Sequence, residues 1–327
     1  MPKSKRLHFK DIDTLRFFAL VPVILYCSFH LTLTENEGVH YEMTRLFAYL
    51  KQNSLDFFFF ISAFLLTSHA LREYKYTQQF SLRDYFVRRL FRLGPLLFFG
   101  LLFAFLVHPW ILGILKLNHI ESPSPFGYLL LIPNYLQKAA PEQYVYLAVI
   151  WTIFMFVQFY LVWGIVLRFF KANLNTVAVI CIAIGIADRI VHHFTAVSFE
   201  FDTLAYGAPV GMGTLLARLV REDSPYLKKI ATLPKRLVFP SYLVGLVIVL
   251  GAYLVSPNFI YAGFVPVITC FFFGCIIIDQ TFGKNTPVKF RNNKFFSHLG
   301  QISFGIIVYQ SMIGVMMVNG IDSLDFE

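Results

Sequence analysis

The feature that most limits what this chain can fold into is a recurring one, the apolar segment of about twenty residues. Such a segment crosses the roughly 30 Å hydrocarbon core of a bilayer as a helix. There every backbone N–H and C=O must be satisfied within the protein, which favours helices over open strands. Nine such segments are predicted, roughly at 14–33, 55–73, 95–116, 146–168, 175–193, 203–221, 238–256, 259–279 and 298–320. Charged residues make up 14% of the chain and hydrophobic ones 57%. A soluble domain carries about a quarter charged residues, so that class is excluded. The expected fold is an all-α polytopic membrane protein, a bundle of about nine to ten transmembrane helices. Its loops are too short for a separate soluble module, so residues 1–327 are read as one domain.

Charge placement tests this scheme independently. Of the 28 Lys and Arg, 22 fall in the alternating segments 1–13, 71–94, 168–174, 218–237 and 279–297. The opposite segments carry five: Arg45, Lys51, Lys116, Lys138 and Arg189. The positive-inside rule then predicts a cytoplasmic N-terminus and a multi-pass protein of the cell's inner, cytoplasmic membrane. The net charge of +9 reflects this topology and the attraction of basic loops to anionic membrane lipids. It is not a nucleic-acid footprint, because no basic stripe lies outside the juxtamembrane segments. The stretch FGYLLLIPNYL, 126–136, is apolar but short and holds Pro133, so it is expected to be re-entrant or interfacial. The basic start MPKSKR precedes an apolar run that no small-x-small site closes, so a retained helix is expected. All four cysteines (Cys27, Cys181, Cys270 and Cys275) fall in predicted spans, without a CxxC metal pattern or an extracellular disulfide framework.

Ionisable groups inside membrane-length segments are expensive and therefore mark candidate sites. The first segment, DTLRFFALVPVILYCSFH, runs from Asp13 to His30. At 1.5 Å and 100° per residue, the eleven residues from Arg16 to Cys27 rise about 16 Å and return to nearly the same face. His30 follows one turn later, so Arg16, Cys27 and His30 form a polar stripe. Asp56 opens the second predicted span, where it either caps a helix or belongs to a polar pocket. Arg88, Arg89 and Arg92 cluster before the third span, either snorkelling to lipid headgroups or clamping a phosphate-bearing ligand. Asn118, His119, Glu121, Asn134 and Gln137 could line a sugar-facing entrance. Asp188, Arg189, His192 and His193 have i,i+4 spacings that suit either an interfacial ion cluster or zinc. No metal site is assigned.

Five stretches, taken in order, carry a resemblance: DTLRFFALVPVILYC, LDFFFFISAFLL, RRLFRLGP, WTIFMFVQFY and LGQISFGIIVY. In that order and spacing the chain resembles the integral-membrane acyltransferase-3 family, O-acyltransferases that decorate bacterial envelope glycans. Ala63 stands where the family's second helix usually has glycine. The resemblance implies transfer of an acyl group, acetyl above all, from cytoplasmic acyl-CoA to a hydroxyl of an envelope glycan or lipid-linked acceptor. Asp13 and Arg16 stand in their family places, and Arg88, Arg89, Arg92 and Asp56 become donor-binding candidates.

Three departures accompany the match. The family's first-helix catalytic histidine corresponds to Cys27, the acidic residue of its fourth helix to Phe156, and the histidine ending its last signature to Gln310. Activating a hydroxyl at neutral pH requires a base with a pKa near 7. His30 is one replacement, displaced by about 4.5 Å along the helix. Cys27 is another, as a nucleophile forming an acyl thioester with His30 lowering its pKa. The alternative is a non-catalytic relative that serves as subunit or scaffold of an envelope membrane complex with protein partners. A carrier of lipid or glycan is a third reading, resting on the polar stripe alone.

Overall fold

The structure, a computed structural model, describes residues 10–32, 39–115, 125–139, 150–195, 197–220, 224–255, 258–286, 289–290 and 293–324. Among them every regular element is helical. Helix α1 spans Lys10–Thr32, α2 Val39–Thr77 and α3 Leu82–Leu102, which continues through a π-helical turn into α4, His108–Leu115. Two short helices follow, α5 (Pro125–Leu129) and α6 (Pro133–Ala139). Then come α7 (Ile150–Phe169), α8 (Leu174–Thr195), α9 (Gly207–Leu219), α10 (Pro225–Ala231), α11 (Lys235–Leu254) and α12 (Phe259–Phe282). The chain closes with α13 (Lys294–Gln301) and α14 (Ser303–Leu324).

Six helices among the described residues are long and apolar enough to cross a membrane. They make this an all-α multi-pass membrane protein. Helix α1 has membrane length too, at 23 residues, but carries Asp11, Asp13 and Arg16 in its first two turns. The segment 203–221, expected as a full span, forms a single 3₁₀ turn and the 13-residue α9. Thirteen residues rise only about 20 Å. Helix α9 is nonetheless buried, because α2, α8 and α12 surround it and protein replaces lipid as its solvent. The stretch 126–136 splits into α5 and α6 at Leu131, whose φ of 62° ends the first helix. It therefore does not cross as one helix.

The 39 residues of α2 make it the central element, packed against α1, α7, α9 and α12. Its run Phe57–Phe60 and Ile61, Ala63, Phe64 are all buried, so these rings form core rather than a lipid-facing surface. Close approach to α9 needs Gly213, where an added Cβ would run into the Phe60 carbonyl. Gly300 of α13 likewise leaves room for the backbone of Asp13, which brings α13 against the start of α1. Gly213→Val is expected to lower stability by about 1–3 kcal/mol through overpacking. A thermal unfolding midpoint equal to wild type would show that the two helices separate without penalty.

Candidate active site

Three arginines converge at the N-terminal end of α1. A cavity of about 250 Å³ is lined by Asp13 and Arg16 from α1, Ser62 and His69 from α2, Arg89 and Arg92 from α3, Tyr160 from α7 and Gln301 from α13. Arg16 is buried and its Nη1 lies 3.3 Å from Asp13 Oδ1. The other Asp13 oxygen accepts from Gln301 Nε2 at 3.1 Å. One carboxylate thus faces three guanidiniums, leaving an excess of positive charge suited to an anion. Arg89 lies over the ring of Tyr160 at 5.3 Å, and Arg92 over that of Phe304 at 5.8 Å. The Nε of Arg89 is buried without a hydrogen-bond partner among the described residues, a donor left for something else.

The other sequence candidates are distributed differently. Arg88 turns away from the cavity and pairs with Glu73 at 3.7 Å, its side chain 43% exposed. Asp56 is neither a cap nor a neighbour of the α3 arginines, because α2 begins 17 residues earlier, at Val39. It is buried and bonded through Oδ1 to Arg189 Nη2 at 2.5 Å, and Arg189 Nε donates to the Ala205 carbonyl at 2.9 Å. This pair lines a second cavity, of about 600 Å³, with Tyr49, Gln52, Asn53 and Tyr261. Cys27 does not line the arginine cavity. It packs against the core cluster that contains Phe156 and Tyr206. His30 lies in the last turn of α1, and its side chain lies outside the described residues, as do Asn118, His119 and Glu121.

Between the two cavities the core is aromatic. Phe156 stacks on Phe59 at 4.3 Å, Phe59 stacks on Tyr206 at 4.5 Å, and Phe304 meets Phe156 edge-on at 5.1 Å. Gln310 donates to the Ile24 carbonyl at 2.8 Å and lies 3.2 Å from Ser28 Oγ, tying α14 to α1. Two cations that sequence counting places in outer segments are internal. Lys51 lies three turns inside α2, where it pairs with Glu200 and sits 3.9 Å over the ring of Tyr26. Arg189 is only 3% exposed. Their carboxylate partners, Glu200 half-buried and Asp56 buried, explain why neither needs to reach water.

His69 is the residue that sequence reading passed over. A signal was present: Ser62 and His69, seven residues apart, lie about 20° apart around a helix. Without the arginine cavity nothing distinguished that face from the rest of α2. The fifth-span cluster also acquires a geometry, since ligand atoms of Asp188, His192 and Asp202 lie within 4.8 Å of one another. Lys138 already puts its ammonium 2.8 Å from His192 Nε2 and 3.9 Å from Asp202 Oδ2, where a metal cation would sit. The neighbouring Tyr135 donates to Asp202 at 3.2 Å, and burial together with that carboxylate raises its pKa above the usual phenol value.

Comparisons with known proteins bear on the family. The pattern of the family described as "Acyltransferase domain", acyltransferase type 3, matches residues 9–327. The chain is 28% identical over 217 residues to the O-acetyltransferase OatA of Staphylococcus aureus strains NCTC 8325 / PS 47, COL and MRSA252. The aligned region is 63% of this chain and 33% of each relative, so the chain spans about a third of the relatives' length. No solved structure matches.

Proposed function

Given that the chain belongs to the acyltransferase-3 family, we propose that it is a membrane O-acyltransferase whose arginine cavity holds the phosphates of an acyl-CoA donor. The observation that carries this reading is the convergence of Arg16, Arg89 and Arg92 on one cavity with Asp13 as the only carboxylate on its lining among the described residues. Guanidinium groups bind phosphate oxygens through paired, charge-assisted N–H donors. Asp13, itself accepting from Gln301, holds Arg16 in place, and His69 adds a further polar group on the same lining. The acceptor is a hydroxyl of an envelope glycan or a lipid-linked sugar, with acetyl as the acyl group and the cytoplasmic membrane as the location.

The transfer joins an acceptor oxygen to the acyl carbon, releases CoA as its thiol and passes the hydroxyl proton to a base. CoA carries its thioester on a long arm away from its phosphates. The reacting carbon therefore lies deeper along α1 than the clamp, toward Cys27, about 16 Å beyond Arg16. The Phe156–Phe59–Tyr206 stack has to yield along that path, and His30 and Cys27 are the groups offered at its far end.

The test uses purified protein and acetyl-CoA labelled in the acetyl group, with CoA binding and CoA release followed separately. Arg16→Gln, Arg89→Gln and Arg92→Gln are each expected to weaken CoA binding by about tenfold, the effect of losing one charge-assisted contact. Unchanged binding in all three would remove the clamp. Loss of release in Cys27→Ala or His30→Ala would identify the reacting group, and hydroxylamine-sensitive label on Cys27 would indicate a thioester.

One observation favours a second reading, a non-catalytic subunit of an envelope assembly. Phe156 and Gln310, at two ionisable positions of the family, are used in core packing and in an interhelical hydrogen bond. CoA bound without release in wild type, together with a co-purifying protein, would support it.

A further inference from the structure

A groove of about 680 Å³ lies at the same end of the bundle as the arginine cavity, on another face of α1. Thr14, which contributes to it, is about 200° around the helix from Arg16. The opposite wall is the segment that leads into α13, with Lys289, Phe290, Asn293 and Lys294. Among the described residues, none that lines the groove is acidic.

Its polar half is built for an anion. Lys289 Nζ donates to the Gln280 carbonyl at 3.1 Å, which fixes the ammonium and leaves further N–H donors. Lys294 begins α13, whose start is capped by Asn293 Oδ1 accepting from the N–H groups of Phe295 and Phe296. The partial positive charge of a helix N-terminus adds to that of the two lysines. Thr14 is wholly buried on the same lining, and its hydroxyl has no hydrogen-bond partner among the described residues.

The other half is aromatic. Phe18 is 43% exposed and packs against Phe290 at 5.4 Å and Phe296 at 5.5 Å. Phe18 lies one turn further along α1 than Thr14, toward the apolar middle of the helix, so the basic groups lie outside and the rings inside. That order matches a lipid, charged at the surface and apolar below.

We propose that this groove binds an anionic phospholipid, its phosphate diester held by Lys289, Lys294 and the start of α13, and its upper chain atoms against Phe18, Phe290 and Phe296. The site is independent of the acyl-CoA reading. A soluble phosphate would share the polar contacts but would leave the rings unused.

The experiment is native mass spectrometry of the full chain from detergent containing equal phosphatidylglycerol and phosphatidylcholine. Wild type is expected to retain phosphatidylglycerol preferentially. Lys289→Gln/Lys294→Gln is expected to lower that retention about tenfold or more, the effect of two basic groups at a membrane surface. Lys235→Gln/Arg236→Gln removes two bases at the start of α11, outside the groove, and is expected to leave it unchanged. Lys294→Gln alone, at an exposed position, keeps the test usable should the double variant unfold. The proposal fails if the groove variants retain the lipid as wild type does. It also fails if the Lys235/Arg236 control lowers retention equally, or if millimolar inorganic phosphate displaces the lipid.

Discussion

Arg189→Ala is expected to destabilise the protein by about 3–5 kcal/mol, because it strands the Asp56 carboxylate, 2% exposed, without its counter-charge. Three further interactions disappear with the guanidinium: the donor to the Ala205 carbonyl, and the cation over the Phe199 ring at 4.8 Å and the Tyr206 ring at 5.6 Å. Most of the loss belongs to the abandoned charge, so it should be relieved by a second change. Asp56→Asn in the Arg189→Ala background removes that charge and is expected to recover part of the lost stability. The measurement is a double-mutant cycle on thermal unfolding midpoints in detergent. Strictly additive single and double variants would mean that the two side chains do not act as a pair.

Phe156→Ala is expected to have an effect of similar size, about 3–5 kcal/mol, because it leaves a cavity where a buried ring stacks on Phe59. Phe156 is 1% exposed and is enclosed by Phe59, Tyr160 and Phe304. Phe156→Glu should be no better tolerated, since those neighbours offer a buried carboxylate little to pair with beyond the Tyr160 hydroxyl. The comparison bears on function as well as stability. If Phe156→Glu unfolds at the wild-type midpoint, the surroundings can still accept the acidic residue usual in the family, and the aromatic stack is not a committed part of this fold. Under the proposed transferase reading, Phe156→Leu should be a folded variant with a looser barrier. CoA release is the quantity to follow in it.

Much of the architecture was legible because its cause is local. An apolar run of about twenty residues becomes a helix wherever the backbone has no water to bond to. The shared face of Arg16 and Cys27 follows from a rotation of 100° per residue. Segment 203–221 departs from that rule for a tertiary reason: its length is set by α2, α8 and α12 around it rather than by bilayer thickness. Part of the candidate site was legible too, since Asp13, Arg16, Arg89 and Arg92 all line one cavity. Arg88 could not be separated from its neighbours by sequence. Its orientation depends on where the packing of α3 leaves it relative to Glu73.

Lys51 and Arg189 show where sequence reading stops. Each resembles an outer-loop cation when charges are counted along the chain. Each is buried because a carboxylate far away in sequence meets it, Glu200 at 149 residues' separation and Asp56 at 133. Gln301 reaches Asp13 across 288 residues in the same way. The sequence by itself determined the membrane-spanning helical class, the faces of α1 and α2, and the family. Tertiary structure alone decided which charges are paired, which are left facing a cavity, and that an aromatic stack lies between the two cavities. Helix formation and facial periodicity depend on neighbours within a few residues, whereas burial of a charge depends on what distant helices bring to it.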